Sequence, residues 1–228
     1  MPDLAQNYRR LQNALSACAV QSGHEVRLLA VSKTQTPEQI RLCADLGQKA
    51  FGENYVQEAL EKITVLRQLA LEWHLIGPLQ SNKCPAAAAH FDWVQTVDRE
   101  KIIKALDQYR PETLPPLNVL IQVNIDAEPG KSGCTPADIK TLALHVAACR
   151  NLRLRGLMAI PDPATSANGM AFSRMQQLFA RLRENHPGAD TLSMGMSDDF
   201  PAAIAHGANL VRVGSALFGQ RPSKQITP

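Results

Sequence analysis

Residues 26–52, VRLLAVSKTQTPEQIRLCADLGQKAFG, hold the structural unit from which the rest of the chain is assembled. The stretch opens on an apolar run, Val26–Val31, and closes on a second, Lys49–Gly52. Between them Thr36-Pro37-Glu38 sets a capping hydroxyl before a first-turn proline and an early acid, which starts a helix. An apolar strand, a helix and another apolar strand make a unit whose strands lie parallel and are covered on both faces.

Outward from this unit the same alternation continues. Further apolar runs occur at Trp73–Ile76, Trp93–Val97, Val119–Val123, Leu154–Ala159, Thr191–Met194 and Leu210–Val213. Helical patterns lie between them. Phe172, Met175, Phe179 and Leu182 share one face of such a helix, and Ile139, Leu142, Ala143, Val146 and Ala147 share another. Thr135-Pro136-Ala137-Asp138 is a second helix start, and Leu4 to Val20 reads as one extra helix before the first strand. About eight strand–helix units without a break predict a closed (β/α)8 TIM barrel with an extra N-terminal helix. A doubly wound open sheet is the alternative.

Composition narrows the function. The chain has 228 residues, enough for one large core, and one barrel of this size is ordinary. No linker or low-complexity segment appears, so residues 1–228 are expected to form one domain. The formal charge of +3 is too small and too dispersed for a nucleic-acid surface. The opening MPDLAQNYRR has no apolar signal core, and no later apolar run approaches membrane-spanning length. Five cysteines without CxxC spacing read as reduced thiols, in the core or on the surface, rather than a disulfide frame or zinc site. A cytoplasmic monomer with neither nucleic-acid nor membrane partners is expected.

In a barrel, chemistry belongs where strands run into the following loops. The unusual polar residues fall there: Ser32-Lys33, Glu53-Asn54, His74, Asn124, Ser193 to Ser197 and Arg212 to Ser215. Strand alternation puts Leu29, Val31 and Lys33 on one face, so an inward Leu29 carries the ammonium inward with it. Burying an unpaired ammonium lowers its pKa, and a neutral confined amine can attack an aldehyde. A lysine that simply reaches solvent is the competing reading, and position alone favours it. The segment Leu192 to Asp199, followed by a short helix at Phe200–His206, offers hydroxyls and backbone N–H groups to an anion. Ordinary capping by Ser197 or Asp198 explains the same residues. Gly214 and Ser215 after the last strand make a second anion-seeking loop, and two adjacent loops match the usual barrel phosphate site. Arg212 alternates with Val211 and Val213 and so faces inward, where it needs a partner: a ligand atom, Glu53 or Asp126. Gly195-Met196-Ser197-Asp198 lacks the closing glycine of a nucleophile elbow. No Walker loop, dinucleotide fingerprint or metal-binding histidine pair is present.

Seven segments, in order between Leu28 and Gly219, carry a resemblance. They are Ala30–Lys33 (AVSK), Phe51–Glu58 (FGENYVQE), Trp73–Lys83 (WHLIGPLQSNK), Val123–Asp126 (VNID), Gly156–Ala159 (GLMA), Ser193–Asp199 (SMGMSDD) and Val211–Ser215 (VRVGS). Together they resemble the pyridoxal phosphate homeostasis proteins, which share the fold of the alanine racemase barrel domain. The resemblance implies that Lys33 holds pyridoxal 5′-phosphate as a Schiff base, and that Ser197, Gly214 and Ser215 bind its phosphate with help from the backbone at Met196. It implies that Arg212 faces the pyridine nitrogen and leaves it unprotonated, which dampens carbanion chemistry. Asn54, His74 and Met158 are implied as pocket lining, and Ser193 counts among the binding residues. The loop Gly130-Lys131-Ser132-Gly133 also fits the family pattern but has no assigned role, and Lys224 in the tail has none.

Three functions remain open at this level. The first is a non-catalytic protein that buffers pyridoxal phosphate or delivers it, with apo pyridoxal enzymes as candidate recipients. The second is a small racemase-like pyridoxal enzyme. The third is a barrel for another phosphorylated metabolite. Racemisation needs a second acid/base on the opposite face of the cofactor. In alanine racemase that group comes from a separate domain and the dimer partner. Only nine residues follow Gly219, so no such domain is expected here.

Overall fold

A computed structural model describes residues 4–167 and 169–219. The elements expected from the sequence are present, with small changes at their ends. After helix α1 (Leu4–Ser22) come β1 (Arg27–Val31), α2 (Pro37–Asp45), β2 (Ala50–Glu53), α3 (Val56–Leu66), β3 (Glu72–Leu75) and α4 (Cys84–His90). Then follow β4 (Trp93–Val97), α5 (Glu100–Tyr109), β5 (Leu117–Val123), α6 (Ile139–Ala147), β6 (Leu152–Ala159) and α7 (Pro163–Ala167). The chain continues through α8 (Met170–Asn185), β7 (Thr191–Ser193), α9 (Phe200–Ala205), β8 (Leu210–Val213) and α10 (Ser215–Phe218). The eight strands are parallel, pair in sequence order and close with β1 against β8, so the barrel stands and the open sheet does not. Lys224 and the rest of the tail lie outside the described residues.

Local chemistry explains the elements. Thr36 accepts from the Gln39 N–H at 3.4 Å with Pro37 behind it, and Thr135 and Asp138 form a reciprocal capping box. Helix α1 buries Tyr8, Leu11 and Leu15 on one stripe and lies against α9 and α10, where Asn7 Nδ2 donates to the Leu217 carbonyl at 3.1 Å. Period-two alternation sorts the strands: Leu28, Ala30, Val211 and Val213 join the large core under the helices, whereas Leu29 and Leu210 form a separate cluster with Ala50. Strand β6 carries an irregularity opposite Val119–Leu120, where Gly156 sits at φ 141°. A Cβ there would come within 1.9 Å of the Thr191 carbonyl, so only glycine allows β6 to meet β7.

The barrel interior is not uniformly apolar. Trp93, Leu120 and Met158 form one small cluster and Leu29, Ala50 and Leu210 another, with Ile76 packed against it. His74, Gln95, Ser193 and Arg212 are also buried.

Candidate functional site

The carboxyl ends of β1, β2 and β8 and the loop after β7 enclose a cavity of about 270 Å³. Lys33, Asn54, Met196, Ser197, Arg212, Gly214 and Ser215 all line it, beside Val31, Gln35, Ile76, Ile160, Asp198 and Gly219. His74, Met158 and Ser193 do not. Each is wholly buried inside the barrel, His74 against Trp93 and Met158 against Trp93 and Leu120. The structure thus places His74 and Met158 inside the barrel, apart from the residues on the cavity wall, and Ser193 behind Arg212.

Lys33 is half-buried on the cavity wall and not fully enclosed. Its turn is nonetheless held tightly. The Ser32 N–H donates to the Gly52 carbonyl at 2.9 Å, Thr34 sits at φ 67°, and the Thr34 N–H donates to Glu58 Oε1 at 2.6 Å. Beneath the turn lies Lys62, whose Nζ donates to the Ser32 carbonyl at 2.8 Å, Glu53 Oε1 at 2.9 Å and Glu58 Oε1 at 2.6 Å. The Ser32 hydroxyl donates to the same Glu53 oxygen at 2.6 Å. Burial pushes the Glu53 carboxyl upward, against the pull of Ser32 and Lys62. Its other oxygen, Oε2, is buried without a hydrogen-bond partner among the described residues. Sequence reasoning missed Lys62. The signal was its place on the apolar stripe of α3, beside Val56, Ala59 and Leu66.

Arg212 is 3 % exposed. Its Nη1 donates to Ser193 Oγ and its Nη2 to the Ala159 carbonyl, each at 2.7 Å. Burial draws the guanidinium down to about 10, with Asp199 opposing the fall. The group stays cationic at neutral pH. Neither carboxylate expected as its partner serves: Glu53 binds Ser32 and Lys62, and Asp126 accepts from the Asp162 N–H at 2.8 Å. A guanidinium has five N–H bonds, and the remainder of this one borders the cavity.

At the rim, the Ser215 hydroxyl donates to Ser197 Oγ at 3.0 Å, and the Ala216 N–H approaches the same oxygen at 3.4 Å. Gly214 lies beside Val31, and a Cβ there would make an ordinary contact with it at 3.4 Å. The Met196 N–H donates to Asp199 Oδ1 at 2.6 Å. Asp199, rather than Ser197 or Asp198, is the N-cap of α9. Asn54 is fixed by close packing: a Cβ on Gly77 would fall 2.1 Å from its carbonyl.

The donor set suits a phosphorylated aldehyde with a basic ring nitrogen. It offers an amine, a pair of hydroxyls beside a glycine, and a guanidinium with N–H groups to give. No group of His, Cys, Asp and Glu among the described residues is arranged to hold a metal ion, and no described helix is long and apolar enough to cross a membrane.

Comparisons with known proteins place the chain in a family. Residues 2–222 match the family described as "Alanine racemase, N-terminal domain". The "Pyridoxal phosphate homeostasis protein" of Escherichia coli (strain K12) is 49% identical over 229 residues, covering 97% of this chain and 98% of that one. The protein of that name in Pseudomonas aeruginosa is 49% identical over 226 residues, covering 97% of each. PipY of Synechococcus elongatus PCC7942, solved with PLP bound, superposes with a TM-score of 0.82 at 34% identity, over 95% of this chain and 100% of its own. The fold, the cavity and these full-length likenesses lead to one conclusion: the chain belongs to the family of pyridoxal phosphate homeostasis proteins, built on the alanine racemase N-terminal domain.

Proposed function

We propose that this chain binds pyridoxal 5′-phosphate at the carboxyl mouth of the barrel, covalently on Lys33, and serves to buffer or deliver it without appreciable turnover. The observation that carries the reading is the convergence of Lys33, Arg212, Ser197, Gly214 and Ser215 on one cavity. When bound, the cofactor supplies an aldehyde that condenses with an amine and a ring that can accept electrons. The Lys62 cluster under Ser32 and Thr34 holds the Lys33 turn in place. The hydroxyls of Ser197 and Ser215 take the phosphate end, beside Gly214 on the same wall. Arg212 donates an N–H toward the ring nitrogen and, as a cation, discourages protonation there, so the ring is a weak electron sink. Among the described residues, the ionisable groups on the cavity wall are Lys33, Asp198 and Arg212, and none of the histidines or tyrosines usual in two-base proton transfer lines it. The cytoplasm is the compartment where the proposed recipients, apo pyridoxal enzymes, would be met.

The test is a visible spectrum of the protein loaded with pyridoxal phosphate, before and after borohydride, for the parent and Lys33→Ala. The parent should show a band that borohydride removes while fixing one adduct on Lys33, and the variant should show neither. A reduced adduct on Lys83 or Lys131, with none on Lys33, overturns the assignment.

A further inference from the structure

A line of hydrogen bonds runs through the barrel from the cavity to its opposite mouth. Arg212 Nη1 donates to Ser193 Oγ at 2.7 Å, and the Ser193 hydroxyl donates to Gln95 Oε1 at 2.7 Å. Gln95 Nε2 meets His74 Nδ1 at 2.8 Å, and His74 Nε2 meets Glu72 Oε1 at 2.7 Å. His74, Gln95 and Ser193 have no exposed surface, and the His74 ring stacks on Trp93 at 5.0 Å. Glu72 alone among the four reaches the amino-end rim, where Arg27 lies 3.5 Å away.

The polarity of this line is dictated from its far end. An ionised carboxylate only accepts, so His74 must present N–H at Nε2. Glu72 is ionised: burial pushes it up, yet the His74 N–H, Arg27 and Trp93 hold it at about 2. Complete burial keeps the His74 ring neutral against the pull of Glu72, so Nδ1 is a lone pair. Gln95 must therefore turn its amide nitrogen to His74 and its oxygen to Ser193. The single Ser193 proton then goes to Gln95, which leaves its lone pairs toward Arg212. Reversing any link would set donor against donor or acceptor against acceptor in a dry interior, at the cost of an unmade hydrogen bond.

We infer that Glu72, acting through His74, Gln95 and Ser193, is a positioning residue that holds Arg212 with its remaining N–H groups turned to the cofactor cavity. The inference rests on the proposed placement of Arg212 at the ring nitrogen. It adds that a carboxylate at the opposite mouth of the barrel sets that arginine's orientation.

The experiment compares Glu72→Met, which cannot accept, with Glu72→Gln, whose amide oxygen can. Both are loaded with pyridoxal phosphate alongside the parent and Arg212→Met, and read by affinity and by the visible band maximum. Nitrogen-15 NMR of the apo parent reads the His74 tautomer directly. Glu72→Met should shift the band and weaken affinity by about three- to thirtyfold. Glu72→Gln should restore most of both, and the parent should show the Nε2–H tautomer. A band and affinity unchanged in Glu72→Met overturn the inference, even if the apo protein melts earlier, since that leaves only a structural role. A parent Nδ1–H tautomer also overturns it while leaving the function intact. An Arg212→Met protein with unaltered band and affinity instead removes the arginine from the ring, and the function's account of that residue fails with it.

Discussion

Replacing Lys62 by methionine keeps the length of the side chain and removes one buried cation. Glu53 loses the partner at 2.9 Å, the Ser32 carbonyl loses a donor at 2.8 Å, and Glu58 loses its partner at 2.6 Å. Glu58 is partly exposed and turns to water, whereas the Glu53 side chain is fully buried and cannot. An uncompensated buried charge of this kind costs about 3–5 kcal/mol. In a domain of this size that corresponds to a fall in melting temperature of about 6–20 °C. The carboxyl has an escape, because it can take up a proton. Its folded pKa already stands above the ordinary value through burial, and losing Lys62 raises it further. A group whose folded pKa is raised supports the fold fully below its unfolded pKa and loses that support as pH climbs through the folded value. The penalty of Lys62→Met is therefore smaller on the acid side, where a protonated Glu53 leaves only lost hydrogen bonds worth about 1–2 kcal/mol. It grows toward the full figure as pH rises. Urea unfolding of parent and variant at about pH 5 and about pH 8 measures this, and Glu53→Gln added to Lys62→Met should flatten the dependence. A penalty under about 1 kcal/mol at pH 8, or one that shrinks as pH rises, refutes the reasoning from a buried, compensated carboxylate.

Other expectations follow from the same geometry. Ser197→Ala and Ser215→Ala should each weaken pyridoxal phosphate binding about ten- to a hundredfold by titration, the worth of a hydrogen bond to a charged group, while melting stays near that of the parent. Unchanged affinity in both would put the phosphate elsewhere. Gly77→Ala forces a methyl group to 2.1 Å from the Asn54 carbonyl and should destabilise the protein by about 1–3 kcal/mol in urea unfolding, with Asn54 displaced from the cavity. Loaded protein incubated with single enantiomers of alanine, serine, glutamate or lysine in heavy water should exchange α-protons far below the ~1–1000 per second of ordinary enzymes. Turnover in that range, lost in Lys33→Ala, would make the protein a catalyst.

The alternation of apolar strand and capped helix was enough to predict the barrel and to put the site at its carboxyl mouth, because both depend on local periodicity. The same period-two rule turned Arg212 inward and Val211 and Val213 outward, as they lie. Sequence also found the residues that gather at the cavity from β1, β2, β7 and β8, since each stands at a strand end. What it did not determine was depth along the barrel axis. His74 and Met158 lie on inward faces like the cavity residues, but the pairing of Gly52 with His74 and of Met158 with Ser193 sets them inside the barrel. Partners were hidden for a related reason. Arg212 could be expected to need an acceptor, yet Ser193 and the Ala159 carbonyl come from strands 19 and 53 residues away. Lys62 meets Ser32 across 30 residues. Alternation is a property of one strand, which the sequence carries in full. Stagger between strands, and the partner that a buried charge meets, exist only once the barrel has closed.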